Sequence, residues 1–155
     1  MTSGRHLDQL IAAAEYDPSV CVFRNLKRAT RRVEAFYDEA LRASGLNSNQ
    51  FTILITLARK PDLNVQELAR LVSLSPSTVP RVTRPLVRDG LLAVRPGDDR
   101  RVRVISITGK GRRRLARAFP LWEKAQRHML EILGARRWTL TRKRLADLRY
   151  SLEEE

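Results

Sequence analysis

Three arginines recur at helical spacing in the middle of the chain. Arg81, Arg84 and Arg88 lie three and four residues apart, so they would form one stripe on an α-helix. A guanidinium group can donate two parallel hydrogen bonds to the edge of a guanine, a contact worth about 1–3 kcal/mol of discrimination between base pairs. The pattern therefore predicts a helix that reads DNA in the major groove.

Hydroxyl side chains precede the arginine stripe. Ser75, Ser77 and Thr78 lie where this helix should begin. The free amides and the dipole of a helix N-terminus favour an anion, and hydroxyls there can donate to phosphate oxygens. Two prolines complicate the pattern. Pro80 fits the first turn if Ser77 is the N-cap, whereas Pro85 would be interior and predicts a bend.

A second basic cluster lies in a polar turn between two short apolar segments. Asp99, Arg100 and Arg101 belong to the turn at residues 96–101, and Arg103 follows it. Turn residues of this kind join antiparallel strands, so a hairpin with arginines at its tip is predicted. Because an isolated hairpin is marginally stable, it must pack against the helices.

Several other roles of the two basic clusters compete with DNA binding. A row of arginines is most often a solvated face, and an Asp–Arg pair in a turn is most often an ordinary surface ion pair. An RNA-binding protein would stack bases on aromatic side chains of a sheet, but only 6% of the residues are aromatic, and most fall on helical core stripes. A module that binds only proteins has no need of both basic clusters. Taken together, the stripe and the basic hairpin favour DNA.

The overall charge also points to a polyanionic partner. Lys and Arg number 30 and Asp and Glu 17, which gives a formal net charge of +13. Such a surplus favours nucleic acid over an anionic membrane surface, and no apolar run is long enough to span a bilayer. The N-terminal residues lack a secretory pattern, and the single cysteine cannot form an intramolecular disulfide. We therefore expect a cytoplasmic protein.

Residue patterns for catalysis or metal binding were not found in the sequence. His6 and His128 lie far apart, and no Cys or carboxylate cluster has the spacing of zinc ligands. Neither a glycine-rich phosphate loop nor a locally supported Ser, His and Asp arrangement occurs. We expect no enzymatic activity, no cofactor and no metal.

Capping signals and periodicity predict the helices that precede the hairpin. Asp17-Pro18 predicts the start of an amphipathic helix that ends at Gly45. Capping boxes begin the next two helices, at residues 47–50 and 64–67. The arginine helix ends before Gly90, which completes a helix-turn-helix unit.

Strands and two further helices follow. The strands are predicted at residues 91–95 and 102–107, and Thr108 caps a long helix that is broken or bent at Pro120. A last helix follows Gly134. The predicted fold class is mainly α with a small two-stranded antiparallel β wing, a winged helix-turn-helix with a helical dimerisation region from both termini.

Apolar stripes on the terminal helices predict a dimer. Leu145, Leu148 and Leu152 share one face of the last helix, and a small winged domain cannot cover them. A two-fold homodimer would cover this face and would match a pseudo-palindromic operator.

Several short motifs resemble, in their order and spacing, the MarR family of transcription regulators. They include Gly45-Leu46-Asn47, Gln50-Phe51, Glu67-Leu68-Ala69, Ser77-Thr78-Val79, Gly90-Leu91 and Asp99-Arg100-Arg101. The resemblance covers nearly the whole chain. It implies one domain, 1–155, in which residues 1–45 and 112–155 form dimerisation helices and residues 46–111 form the winged-helix DNA-binding region.

The resemblance also implies a role for the turn. In the family, the wing carries an Asp-x-Arg motif, here Asp99 and Arg101, whose carboxylate orients an arginine that enters the minor groove. A narrow minor groove concentrates negative potential, so such an arginine reads groove width rather than base identity.

Three modes of regulation follow from the resemblance and stay open. Family members commonly respond to a small aromatic or phenolic ligand, which implies a repressor released from its operator by such a compound. We expect the cleft near Phe36, Tyr37, Gln50 and Phe51, where aromatic residues cluster. Other members sense oxidants through a thiol, and Cys21 lies slightly N-terminal to that position. The third alternative is a basic nucleic-acid-binding protein with no ligand.

Overall fold

The computed structural model describes residues 3–14, 17–97 and 102–153. Its helices are α1 (Ser3–Ala13), α2 (Val22–Leu41), α3 (Ser48–Arg59), α4 (Val65–Val72), α5 (Thr78–Arg88), α6 (Gly109–Leu133) and α7 (Ala135–Glu153). Its strands are β1 (Leu63–Asn64), β2 (Leu92–Pro96) and β3 (Arg103–Ile107). Backbone contacts divide the chain into two units, Met1–Ala35 and Phe36–Glu155. None of the described helices is long and apolar enough to cross a membrane.

Helix α1, in the first unit, is not among the predicted elements. Its apolar residues Leu7, Leu10 and Ile11 share one face at helical spacing, yet each is about half exposed. A helix of 11 residues is marginally stable by itself in water, so this face needs a partner surface.

The start of α2 differs from the prediction that Asp17 caps it. The Asp17 carboxylate instead accepts hydrogen bonds from the Ser19 hydroxyl at 2.6 Å and from the Ser19 backbone N–H at 2.7 Å. These two bonds stabilise the charged carboxylate and so lower the pKa of Asp17. The local turn competes with helix capping, and α2 begins only at Val22.

Capping boxes begin two helices of the second unit, as predicted. The Asn47 side chain accepts from the Gln50 N–H while the Gln50 side chain accepts from the Asn47 N–H. Asn64 and Glu67 form the same reciprocal pair at α4. Thr108 caps α6, also as predicted. Each cap satisfies amide donors that the first turn of a helix leaves free.

The sheet has three strands, one more than predicted. Its order is β1-β3-β2, and both pairings are antiparallel. The strand β1 is only two residues long, too short for any periodic pattern to reveal it. The two longer strands, β2 and β3, correspond to the predicted hairpin. The extra strand matters because it attaches β3 to the chain segment that continues into α4.

The core of the second unit lies between its helices and the sheet, and its fully buried side chains are aliphatic. They include Leu41, Ile53, Leu54, Leu57, Leu63, Leu68, Val79, Leu86 and Leu91. Because α5 contributes two of these side chains, the same core that stabilises the fold also holds the arginine helix in place.

Helix α6 runs continuously through Pro120, so of the two predicted alternatives the break is wrong and the bend stays a prediction. Pro120 is exposed, and the carbonyl that loses its hydrogen bond can bind water.

Near the start of α6, a Cβ added to Gly111 would lie 2.2 Å from the Leu91 carbonyl oxygen. Gly134, with φ of 75°, separates α6 from α7 as predicted.

Candidate nucleic-acid interface

Helix α5 presents the arginine stripe to solvent. Its buried residues are Val79, Thr83 and Leu86. Its exposed arginines are Arg81, Arg84 and Arg88. Because the buried side packs into the core, the backbone that carries the arginines is fixed while their side chains stay exposed. A rigid helix with cations on its free face suits entry into a major groove.

A cluster of hydroxyl groups surrounds the N-terminus of α5. The Ser75 hydroxyl accepts from the Thr78 N–H at 3.2 Å and lies 2.7 Å from the Thr78 hydroxyl and 3.0 Å from the Ser77 hydroxyl. Ser77 occupies the N-cap position, but its own side chain does not cap the helix. Ser75 and Ser77 are exposed and Thr78 is half-buried, so the cluster can donate to a phosphate in front of the helix.

The two prolines of α5 have different consequences. Pro80 lies in the first turn, where its missing N–H breaks no hydrogen bond, as expected if the helix begins after residue 77. Pro85 is interior, so the Arg81 carbonyl loses its usual helical donor. The helix nevertheless continues to Arg88, because its buried face is held by the core. The bend predicted at Pro85 stays a prediction.

The three arginines differ in their electrostatic surroundings. The Arg88 Nε donates to Asp89 Oδ1 at 3.0 Å, which offsets part of its positive charge. Arg81 and Arg84 have no ion-pair partner among the residues that the structure describes. Arg81 and Arg84 are therefore the stronger candidates for DNA contact, and Arg88 is the weaker one.

The hairpin of β2 and β3 extends beyond the core. Near its far end the Gly97 N–H donates to the Val102 carbonyl at 2.8 Å, which closes the hairpin below its tip. The predicted tip residues Asp99, Arg100 and Arg101 lie outside the described residues. Their contact with DNA stays a prediction.

Arg103 is exposed at the start of β3. It borders a cleft of about 270 Å³, together with Asn64 and Gln66 at the beginning of α4. The cleft therefore lies between the wing and the start of α4, the helix that precedes the arginine helix α5. An arginine in this position can contact the DNA backbone beside the groove that α5 would enter.

Arg95 is not among the predicted site residues, yet it forms a contact between two elements of this region. Its Nη2 lies 2.7 Å from Oδ2 of Asp62, the residue immediately before β1. Residues so far apart in the chain share no periodic pattern, so only the tertiary structure reveals the pair.

Two of the predicted ligand residues line one cleft. Tyr37 and Phe51 border a cleft of about 170 Å³ that Trp122 helps to close. The rings of Phe51 and Trp122 stack, with centroids 5.7 Å apart and planes 17° from parallel. The Tyr37 hydroxyl donates to Gln126 Oε1 at 2.6 Å, and burial raises the pKa of Tyr37. The cleft is aromatic with one polar edge.

The structure does not bring Phe36 and Gln50 into that cleft. Phe36 borders a second cleft of about 410 Å³ with Leu121, Lys124 and His128. Tyr37, the next residue, points elsewhere because consecutive side chains on a helix are about 100° apart. The Gln50 side chain belongs to the capping box of α3.

Cys21 is half-buried immediately before α2. Its carbonyl accepts from the Asn25 backbone N–H at 3.1 Å, so Cys21 takes part in the first turn of that helix. Its predicted redox role stays a prediction. Within the described ranges, no group of three or more His, Cys, Asp or Glu residues could hold a metal ion.

Comparison with known proteins agrees with this geometry. The sequence profile of the MarR family matches residues 46–102. The structure is similar to that of the M. tuberculosis transcriptional regulator MosR, with 33% sequence identity and a TM-score of 0.78 over 88% of this chain and 98% of that chain. The chain belongs to the MarR family.

Two DNA complexes are also similar to this MarR-family chain. MosR in complex with DNA has 34% identity and a TM-score of 0.77, over 86% of this chain and 97% of that chain. The transcriptional repressor CouR, bound to a 23-mer DNA duplex, has 27% identity and a TM-score of 0.75, over 84% and 94% of the two chains. No curated protein sequence matches the chain significantly.

Membership of the MarR family confirms the predicted winged-helix fold class and a DNA-binding transcription regulator rather than an enzyme. Double-stranded DNA and a second copy of the chain are the partners typical of the family. The division into dimerisation residues 1–45 and 112–155 and DNA-binding residues 46–111 stays a prediction.

Proposed function

We propose that this chain is a homodimeric repressor that binds a pseudo-palindromic operator and leaves it when a small aromatic compound binds. The observation that carries the proposal is the division of α5 into a buried apolar face and an exposed arginine face. This division gives the cations a fixed backbone, and specific recognition of a groove requires such a backbone.

In the proposed complex, α5 enters the major groove and the wing enters the adjacent minor groove. Arg81 and Arg84 read base edges, and the hydroxyls of residues 75, 77 and 78 contact phosphates. Arg101, oriented by Asp99, reads the width of the minor groove. Arg100 and Arg103 contact the sugar-phosphate backbone of the DNA. The exposed positions of Arg81, Arg84 and Arg103 support this arrangement.

The proposed dimer covers apolar side chains of the terminal helices. Exposed side chains of α6 and α7 include Ile132, Leu140, Leu145, Leu148 and Leu152. Apolar side chains exposed in this number are unfavourable in water and are typical of an interface. Two copies related by a two-fold axis would place two α5 helices on the two half-sites of an operator.

The proposed inducer occupies the cleft of Tyr37, Phe51 and Trp122. An apolar cavity of about 150 Å³ can hold benzene, so a cleft of about 170 Å³ suits a compound with a single ring. Tyr37 and Gln126 offer hydrogen bonds to a hydroxyl or carboxyl substituent. To release the operator, the ligand must bind the DNA-free state better than the DNA-bound state. A ligand beside Phe51 lies against α3, and α3 contacts the arginine helix α5.

Replacement of single arginines tests the DNA-binding part of the proposal. With an operator obtained by selection from random duplexes, Arg81→Ala or Arg84→Ala should weaken specific binding by about 1–3 kcal/mol per half-site, measured by fluorescence anisotropy. Arg136→Ala, an exposed position on α7, removes the same charge and should change binding little. Equal losses for all three variants on specific and random DNA would mean that the arginines act only through charge.

Arg101→Ala tests the wing in the same assay. Its loss of affinity should be largest when the sequence flanking the core site is rich in A·T pairs, because the minor groove is then narrow. Operators with G·C-rich flanks provide the comparison. The wing would have no minor-groove role if the loss were the same on both operators.

Phenolic acids and other single-ring aromatic acids test the inducer. Binding should change the fluorescence of Trp122, observed in a Trp138→Phe background since the chain has two tryptophans, and should release the operator. Phe51→Leu should weaken the response. Release by peroxide that Cys21→Ser abolishes would favour the thiol sensor, and no release by any compound or oxidant would favour regulation without a ligand.

A further inference from the structure

We propose that the ion pair between Asp62 and Arg95 positions the wing for its contact with DNA. The proposal rests on the role of the wing in the proposed function. Arg95 is the next-to-last residue of β2, and the wing turn begins directly after this strand. Asp62 ends the loop between α3 and β1. The pair therefore connects the arm of the wing to the segment that leads into the helix-turn-helix unit.

The strand register shows that the ion pair crosses the sheet. Arg95 lies opposite Val104 of β3, and Val104 lies opposite Asn64 of β1. The two outer strands are about 10 Å apart, because neighbouring strands are separated by about 4.8 Å. The Arg95 side chain spans this width and places its Nη2 2.7 Å from Asp62 Oδ2. The other ion pairs among the described residues, such as that of Arg127 with Glu123, link residues at most four positions apart in the chain.

The backbone of Asp62 does not by itself require a carboxylate. Asp62 has φ of 60°, in the left-handed region that glycine, asparagine and aspartate all tolerate. The conformation therefore does not distinguish aspartate from the two uncharged residues. The carboxylate gives the position a short, charge-assisted contact with a guanidinium group.

Other contacts hold the hairpin mainly at its base, where Leu92, Ile105 and Ile107 are buried in the core. Only Leu92 of β2 is buried, and the remaining residues of that strand are exposed. The third strand covers only two residue pairs of β3. A two-stranded hairpin by itself is marginally stable, so its direction is easily altered. Although an exposed ion pair adds little to global stability, it can restrict the orientation of the exposed end of the hairpin, where Arg95, Pro96 and Arg103 have no buried neighbour within their own strands.

A double-mutant cycle tests the pair in the full-length protein. The variants are Asp62→Asn, which suits the left-handed backbone and removes the charge, Arg95→Gln, and the combination of both. Glu123→Gln is the matched control, because it removes a carboxylate from an exposed ion pair on α6. Binding is measured on operators with A·T-rich and G·C-rich flanks, with Arg101→Ala as the reference for loss of the wing contact.

We expect each single variant to reduce the preference for A·T-rich flanks by about two- to fivefold, the range of an exposed ion pair. The double variant should lose no more than either single variant, because both remove the same contact. Hydrogen exchange at the Gly97 amide should be faster in all three variants, because the hydrogen bond from this amide to the Val102 carbonyl closes the hairpin near its tip. The Glu123→Gln control should leave flank preference and exchange unchanged.

Other outcomes would overturn the inference in distinguishable ways. If Arg101→Ala reduces flank preference but Asp62→Asn does not, the ion pair has no positioning role while the proposed function stands. If Arg101→Ala lowers affinity equally on operators with A·T-rich and G·C-rich flanks, the proposed minor-groove role of the wing is wrong, whatever the ion pair does. Tighter binding of Asp62→Asn to every duplex would show that Asp62 only repels DNA. If Arg95→Gln still lowers the affinity for DNA in the Asp62→Asn background, Arg95 contacts the DNA directly.

Discussion

The winged-helix region and the terminal helices differ in how they bury apolar side chains. Between α3 and β3 every helix has a buried face, and the largest buried residues belong to one aliphatic core. In α1 and α7, no residue described by the structure is buried. Leu140 and Leu152 of α7 are 59% and 66% exposed, although both are leucines on an otherwise regular helix.

This difference shows where each region obtains its stability. The winged-helix region contains its own core, so its arginines are held by contacts within one chain. The terminal helices expose apolar side chains that only another surface can cover, and a second copy of a MarR-family chain supplies one. Stability of the first region should therefore be independent of protein concentration, whereas that of the second should depend on it.

Truncation of a leucine in each region should separate them most clearly. Leu54→Ala, at a fully buried core position, should reduce the free energy of unfolding by about 2–5 kcal/mol. Leu148→Ala in α7 should instead weaken dimerisation by about 1 kcal/mol and make the melting temperature more dependent on concentration. Urea unfolding and light scattering over a range of concentrations measure both effects. A concentration-independent monomer with wild-type helicity would contradict the dimer.

Two glycines offer a smaller contrast. Gly111→Ala should cost about 3 kcal/mol of stability, because the new Cβ would meet the Leu91 carbonyl at 2.2 Å and that backbone belongs to the core. Gly134→Ala, between α6 and α7, meets no atom within 4 Å and should cost only about 1–2 kcal/mol, because its φ of 75° with ψ of 132° is disfavoured for residues with a side chain. Denaturation of both variants under identical conditions is the measurement. Equal costs would mean that the start of α6 is less tightly packed than its contacts indicate.

The smallest expected effect concerns Tyr37. Burial raises the pKa of Tyr37, so the folded state favours the neutral phenol. The associated stability is fully present below the unfolded pKa of about 10 and is lost as the pH rises through the higher folded value. Unfolding free energies of the wild type and of Tyr37→Phe should therefore converge or cross above about pH 10, with little pH dependence of their difference at pH 7–9. Parallel pH profiles up to pH 11 would show that Tyr37 is more hydrated than its contact with Gln126 indicates.

Features that depend on neighbours in the chain could be predicted from the sequence. The capping boxes at Asn47 and Asn64 and the cap at Thr108 use side chains within three residues of the amides they satisfy. The arginine stripe of α5 follows from helical periodicity, and the apolar residues between the arginines predict which face is buried. The stripe and the basic hairpin together predicted the winged helix and its DNA partner, and the family motifs added the expected role of Asp99 and Arg101.

Local signals also failed where two local structures competed. Asp17-Pro18 has the form of a helix start, but the bonds of Asp17 with Ser19 favour a turn. Pro120 has the sequence signal of a helix break, but α6 continues because its residues on both sides, including Ala118 and Ala125, are buried against neighbouring elements. In both cases the sequence signal was present, and the energy of the alternative decided the outcome.

Other features depend on residues that are distant in the chain and meet only in the folded protein. The two-residue strand β1 exists because Leu63 and Asn64 pair with β3. Phe36 and Tyr37 are adjacent in sequence yet border different clefts, because the packing of α2 against other helices assigns each side of it a different neighbour. The sequence determined that α2 to α7 form, where most of them begin and that α5 carries a stripe of arginines. Only the tertiary structure decided that Asp62 meets Arg95 across a strand, because no local periodicity records a contact between separate elements.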